Sequence, residues 1–524
     1  MTLTAAGVIT RVLGFVYRIY MSNLMGAEGM GLYQLIMPVY TLAWSIACAG
    51  FNTTVSKLTA QERAKGEHGN MTLMLKQSVV ITTGLGVLLT FVLYFGAELM
   101  AEYFFADVRV VLPLQILSFA FPFMAAGTCI RGYFIGLQET KIPAANQVLE
   151  QVVRMIVIYF IAAAFVPRGL EYAAAAALIA IVVEEIFSFL FVFVAYKFHK
   201  KNRRKLLGAS AFKLPTLSAA QSLTLIFGMA LPLTGNRVAG SLLTAWENVL
   251  IPRQLQVFGL SAAEAISEFG RIQGMAIPLI FFPTAVLTAL SVTLVPAVSE
   301  AVAAPDKFSG ESKMREISSV ASKALLFAAI TGMGAASLFL FFSHELGFAI
   351  YNQQIGFMLQ LLGVMCPFIY MQIVLSGVLN GLGCQMFIFR NSLLSSGICI
   401  AFIFLLVPHF GLAAYIFGWL VSLVVVIALG LAKIRQFMPL DMEFSRWLLR
   451  PLIAAAAAGL TARLLADRAF FELAGLRIGL VLSITVLAII YFVGILLSGT
   501  ISREEIRQLF AKSRRKAKEC SHNR

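Results

Sequence analysis

TRVLGFVYRIYMSNLMGAEGMGLYQ, residues 10–34, is an apolar run of helix length that carries two arginines and ends in a glycine-rich break. Arg11 and Arg18 are seven residues apart, so at 3.6 residues per turn they share one face. Gly14 lies between them and Ser22 one turn beyond, which draws a thin polar stripe along an otherwise apolar rod. A charge at mid-bilayer costs about 3 kcal/mol or more, so the stripe must face protein or a water-filled cavity rather than lipid. The stretch therefore predicts a membrane helix with a cationic face, and a turn over Gly26–Gly31 leading into a second helix.

The composition extends that reading to the whole chain. Of 524 residues, 59% are hydrophobic and only 13% charged, and 43 are phenylalanine; soluble chains are closer to a quarter charged. Apolar runs long enough to cross a bilayer recur throughout, which defines an all-α polytopic membrane protein. The net charge of +15 does not indicate nucleic-acid binding, because the basic residues fall between apolar runs, where cytoplasmic loops place them. The six cysteines show no metal spacing, and five of them read as small hydrophobes within apolar runs. Ser45–Cys48 weakly resembles a lipoprotein cleavage site but follows two apolar segments. The first segment lacks a basic leader, so a retained helix is expected rather than a signal peptide.

Roughly fourteen spans of ~20 residues are expected, near 4–24, 32–51, 79–97, 110–134, 142–166, 170–198, 223–250, 275–298, 324–342, 357–382, 387–407, 412–431, 447–465 and 476–497. The seventh contains Pro232 and Gly235 and reads as one kinked helix or two pieces. Charge decides for one. With fourteen spans the odd-numbered loops hold seven of the 41 Lys/Arg (109, 168, 253, 271, 463, 468 and 477) and the even-numbered loops and tail hold 29. That asymmetry places both termini in the cytoplasm. The basic clusters Lys197–Lys213 and Arg503–Arg524 read as anchors to anionic lipid.

The chain also repeats. Pro122-Phe123, Gly132, Gly136-Leu137 and Asn146 recur as Pro367-Phe368, Gly377, Gly381-Leu382 and Asn391, each 245 residues later. Thr83–Gly86 answers Thr331–Gly334, and Val55-Ser56-Lys57 answers Val298-Ser299-Glu300. The expected organisation is a six-helix bundle over 1–205, a second over 206–436 that includes the basic linker, an extra helix pair over 437–500, and a basic cytoplasmic tail over 501–524. Six is even, so both bundles enter the membrane in the same sense, related by a pseudo-twofold axis along the membrane normal with a cavity between them.

The seventh span mirrors the opening stripe, with Asn236, Arg237, Gly240, Ser241, Thr244, Glu247 and Asn248 at helical spacing. A guanidinium grips phosphate oxygens in a fork and stays charged. Arg11, Arg18 and Arg237, with Asn236 and Glu247, are thus candidates for binding a phosphate or pyrophosphate head group. The structural alternative is that each arginine is paired with a carboxylate or reaches an interface. Arg253 and Arg271 flank the outer loop and are weaker candidates for the same head group. Glu150 and Arg154, one turn apart in the fifth span, and Glu184 and Glu185 in the sixth suggest a buried ion-pair network or a cation-coupling site. Arg131, near a span end, is expected to snorkel. No phosphate-binding loop, metal-type histidine spacing or nucleophile–base set is present, so no enzymatic activity, metal or cofactor is expected.

Thr10–Gln34, followed by Pro38 and Val55-Ser56-Lys57, resembles the opening of the stage V sporulation protein B-like branch of the polysaccharide and oligosaccharide flippases, in the superfamily that includes MurJ lipid II flippases and MATE exporters. The resemblance covers most of the chain, the span count and the late helix pair included. It implies movement of undecaprenyl-pyrophosphate-linked sugars, lipid II among them, from the inner to the outer leaflet of a bacterial cell membrane by alternating access. It also implies arginines in the cavity, a groove for the lipid tail at the last helix pair, and a role in peptidoglycan or spore-cortex synthesis. MurJ-type openings read S-R-x-L-G-F-x-R-D; Arg11 keeps the first arginine, Tyr17 replaces the second, and Arg18 stands where the acid would be. A MATE-type exporter of cationic drugs and a membrane scaffold for cell-wall synthases are the alternatives. The coupling ion, Na+ or H+, is open.

Overall fold

A computed structural model describes residues 2–207, 215–302, 307–440, 443 and 445–500. The tail from Arg503 and the end of the basic linker, from residue 208, lie outside the described residues. Among these, every regular element is helical. Among the described residues nine helices are long and apolar enough to cross a membrane, or up to eleven if each of two bent pairs, Val108–Ser118 with Phe121–Gly136 and Ala262–Phe281 with Thr284–Glu300, is one span. The first of the nine, Ala5–Lys65, has 61 residues, and the last, Ser445–Leu497, has 53; each is far longer than the ~20 residues one crossing needs. Each contains a backbone break at a glycine, Gly26 (φ 67°, ψ −170°) and Gly475 (φ 71°, ψ 173°), a conformation closed to L residues.

The helices pack as two compact units. The first comprises Met1–Pro278 and Ser396–Gly418; the second, the described residues of Leu279–Ser395 and Trp419–Arg524. In the first unit lie α1 (Thr2–Trp44), α2 (Gly50–Lys65), α3 (His68–Leu99), α4 (Val111–Ser118), α5 (Phe121–Gly136), α6 (Lys141–Phe165), α7 (Leu170–Leu207), α8 (Ala219–Val257) and α9 (Ala262–Phe269). A π-helical segment, Ser45–Ala49, joins α1 to α2.

The glycine run 26–31 is not a turn throughout, as its composition suggests. Only Gly26 leaves the helical region, and the helix resumes at once. The following glycines serve a crossing instead. A Cβ on Gly31 would lie 2.1 Å from the carbonyl oxygen of Ile266, and one on Gly270 would lie 2.0 Å from that of Ala27. The backbones of α1 and the α9 segment therefore touch directly, which nothing larger than glycine permits.

The repeated residues make matching contacts inside each unit. A Cβ on Gly132 or Gly136 of α5 would meet the carbonyl oxygens of Asn52 and Ser56 on α2, at 2.7 and 2.4 Å. In the second unit, Gly377 and Gly381 meet those of Ser291 and Val295, at 2.6 and 2.9 Å. Gly86 packs on Pro122, and Gly332 on Pro367. The second unit also holds the last helix pair. Ser337 donates to the carbonyl of Ala455 at 2.7 Å, Tyr491 donates to that of Ile330 at 2.7 Å, and Gly459 admits the ring of Phe341.

α8 is a single helix of 39 residues that runs through Pro232 and Pro252. It starts at a capping box in which Ser218 and Gln221 exchange side-chain-to-backbone hydrogen bonds of 3.2 and 3.0 Å. It carries the polar stripe and is not among the nine apolar helices. α8 packs on α2 and α3, with Gly50 of α2 pressed against the carbonyl of Ala230. The packing division consequently falls at Pro278, whereas the division drawn from the repeat falls at 205–206.

Candidate functional site

The membrane part of the first unit contains a cluster of charged side chains contributed by α5, α6 and α7, with polar and aromatic side chains from α1. α6 and α7 pack along their length, and α5 lies against α7. Their facing sides carry Arg131, Asn146, Glu150, Arg154, Glu184, Glu185 and Ser188. With Tyr40, Thr41, Trp44 and Asn52 from the α1–α2 side, most of these line a cavity of about 460 Å³.

Pairing in the cluster is specific. Arg154 grips both carboxylate oxygens of Glu184 through Nε and Nη2, and its guanidinium lies 5.8 Å from the centre of the Tyr17 ring. Arg131 donates to Glu150 Oε1, to Thr128 Oγ1 at 2.8 Å and to Ser188 Oγ at 3.2 Å. Glu150 Oε1 also accepts from Asn146 Nδ2 at 2.8 Å and from Ser188 Oγ at 2.7 Å. Tyr40 donates to Glu185 Oε1 at 2.5 Å. Glu184 and Glu185 are 2% and 5% exposed. Charges buried this deeply persist only when paired and hydrogen-bonded.

One sequence-based expectation needs correction here. Arg131 does not snorkel: it sits on the face of α5 turned towards α6 and α7, where Glu150 is within reach. The ion-pair network expected between the fifth and sixth spans is present as Arg154–Glu184 across α6 and α7, while Glu150 pairs with Arg131 of α5 rather than with Arg154 one turn away. Glu150, Arg154 and Glu184 do converge on one site. Tyr40, Asn146 and Ser188 are members that the sequence reading missed; Asn146 carried a signal, being one of the repeated residues.

The candidate head-group residues are placed differently. Arg18 is half-buried and Arg237 exposed, and neither makes a hydrogen bond or ion pair among the described residues. Asn236 and Arg11 are also exposed. Glu247 is half-buried, with Oε1 unpartnered. Arg271 is held by Glu268 at 2.7 Å, and Arg253 donates to the carbonyl of Tyr103. The α8 stripe is tied to the other elements by a 2.6 Å hydrogen bond between Ser241 and Ser45 of the π-helical segment. No group of three or more His, Cys, Asp or Glu able to hold a metal occurs among the described residues.

This architecture is that of a polytopic membrane transporter fold. It matches the lipid II flippase MurJ in an inward closed conformation with a TM-score of 0.68, at 12% identity and over 96% of this chain and 99% of that one. It matches an inward-facing multidrug transporter of the MATE family with a TM-score of 0.63, at 14% identity and over 82% and 98% of the two chains. Those two proteins are transporters, not enzymes. In sequence, the chain is 30% identical to Stage V sporulation protein B of Bacillus subtilis (strain 168) over 452 residues, 85% of each protein. Residues 1–302 match the family model described as polysaccharide biosynthesis protein, and the chain belongs to that family.

Proposed function

We propose that this protein is a flippase that moves polyprenyl-pyrophosphate-linked cell-wall sugars, lipid II or a related lipid-linked oligosaccharide, from the inner to the outer leaflet of a bacterial cell membrane. The observation that carries the reading is that Arg18 and Arg237 stand in membrane-length helices with no ion pair among the described residues. A fixed positive charge in such a helix needs an anion or water, and a pyrophosphate supplies the anion with matching geometry. Arg11, Asn236 and Glu247 extend the same two stripes. The family match and the likeness to Stage V sporulation protein B support a glycan precursor as cargo and a role in peptidoglycan or spore-cortex synthesis.

In this reading the chain crosses the membrane fourteen times with both termini in the cytoplasm. Two six-helix repeats rock about a pseudo-twofold axis along the membrane normal. The head group enters from the cytoplasm onto Arg18 and Arg237, while the isoprenoid tail stays in lipid beside the last helix pair. The deciding experiment measures inner-to-outer transfer of lipid II in cells depleted of their native flippase, with wild type, Arg18→Ala and Arg237→Ala at equal membrane abundance. Transfer by wild type alone supports the reading. Equal transfer by all three makes the arginines structural, and failure of inserted wild type excludes lipid II as cargo. Export of cationic drugs would favour the multidrug alternative, and loss of synthase recruitment without any transfer defect would favour the scaffold.

A further inference from the structure

The charged cluster of the first unit does not balance. Arg131 and Arg154 supply two positive charges against three carboxylates, Glu150, Glu184 and Glu185. Glu150 and Glu184 each have a guanidinium of their own. Glu185 has none in contact: Oε1 accepts the Tyr40 hydroxyl, and Oε2 is buried without a hydrogen-bond partner. Its residue is 95% buried (5% exposed) and lines the cavity. A buried carboxylate oxygen with no donor forfeits several kcal/mol of hydration unless something neutralises it.

We infer that Glu185 is a proton-binding site, with Oε2 taking up one proton from water in the cavity. The carboxylate becomes a neutral acid and the cluster passes from one excess negative charge to none. A metal cation fits worse. Sodium needs several oxygens around it, whereas those of Glu150 and Glu184 are engaged by Arg131, Asn146, Ser188 and Arg154, and the two guanidiniums repel a cation that cannot be absorbed into a covalent O–H bond. The charged and titratable groups facing Glu185 are Tyr40 of α1, Cys48 of the π-helical segment, Arg131 of α5, Glu150 and Arg154 of α6, and Glu184 beside it.

Protonation has a mechanical consequence. A hydrogen bond to a carboxylate is about twice as strong as one to a neutral group, so the proton weakens the tie from α7 to Tyr40. Five residues beyond Tyr40, Ser45 begins the π-helical segment and is hydrogen-bonded to Ser241, one turn from Arg237 on α8. The proton thus acts on the segment that holds the cationic stripe. This coupling role rests on the transport reading; the proton site itself is tested without substrate.

The test is an infrared titration of the full-length protein in lipid, following the protonated-carboxyl band across pH for wild type, Glu185→Gln and Tyr40→Phe. The wild-type minus Glu185→Gln difference should isolate one titrating carboxyl. Tyr40→Phe, which removes a donor to the ionised form, should make the proton bind about tenfold tighter. Replacing choline chloride by sodium chloride should leave the midpoint unchanged. An unaltered titration in Glu185→Gln, an unmoved midpoint in Tyr40→Phe, or a sodium-dependent midpoint would each overturn the assignment. If the titrations succeed while lipid transfer is absent, the transport reading fails and the proton site stands.

Discussion

Removing Arg154 tests whether the cluster is held by pairing. Arg154→Leu leaves Glu184, 2% exposed, without a guanidinium, so its carboxylate is either stranded as a buried charge or neutralised by a proton at a cost in free energy. Breaking a buried pair from one side costs about 3–5 kcal/mol, because the remaining charge stays buried and uncompensated. The Arg154 side chain is 25% exposed towards the cavity, so water relieves part of that penalty and the lower figure, about 3 kcal/mol, applies. The unfolding entropy of the first unit, about 2 cal/mol/K for each of its roughly 300 residues, turns 3 kcal/mol into a fall of about 5 °C in midpoint. The double variant Arg154→Leu/Glu184→Leu removes both charges and should recover most of the loss, since an apolar replacement of a buried pair is often neutral. The assay is thermal unfolding in one detergent at a fixed scan rate, with wild type, both single variants and the double variant forming a cycle. A double variant no more stable than Arg154→Leu alone would refute the reasoning, because the damage would then come from lost packing, such as the Tyr17 contact, rather than from a stranded charge.

Three further outcomes follow from other contacts. Gly31→Leu should abolish accumulation of folded protein in the membrane, read by fluorescence-detected size exclusion, since even a Cβ there would lie 2.1 Å from the Ile266 carbonyl oxygen. Arg237→Ala should leave the unfolding midpoint unchanged, within about 0.5 kcal/mol, because no partner among the described residues is lost. Arg463→Ala removes a 2.5 Å bond to Glu345 and a 3.0 Å bond to Asp467; limited proteolysis should then cut the last helix pair faster while cutting α1–α7 at the wild-type rate.

How far the sequence could be read depends on the range of the interaction concerned. Membrane helices were legible because each is a continuous apolar run and burial in lipid asks nothing of a distant partner. The break at Gly26 was legible too, since glycine permits its backbone angles locally. What the remaining glycines of that run do was not, because the Ile266 backbone they meet is more than two hundred residues away. The partner of Glu150 was hidden for a related reason. Spacing along α6 brings Glu150 and Arg154 to the same face, but the rotation of α6 against α5 and α7 decides which neighbour each meets. Composition therefore located the charged cluster and could not assign its partners. Arg131 was misplaced because its position near a span end suggested water within reach, while the packing turns it inward.

Two kinds of contact hold the first unit together, and they differ in how they respond to change. At Gly31, Gly132, Gly136 and Gly270 the backbones of two helices are in direct contact, and close packing of that kind resists gradual sliding. Tyr40–Glu185 and Ser45–Ser241 are single side-chain hydrogen bonds, one just before a π-helical segment and one at its first residue, each worth about 1–3 kcal/mol. A proton or a bound anion changes interactions of that size and leaves the glycine crossings intact. On the proposed proton-site and transport readings, such a change would act on the segment Tyr40–Ala49, which lies between Glu185 on one side and the stripe of α8 on the other. The alternating access proposed for this chain would need such a joint between otherwise rigid elements, and π-helical turns commonly sit at functional sites.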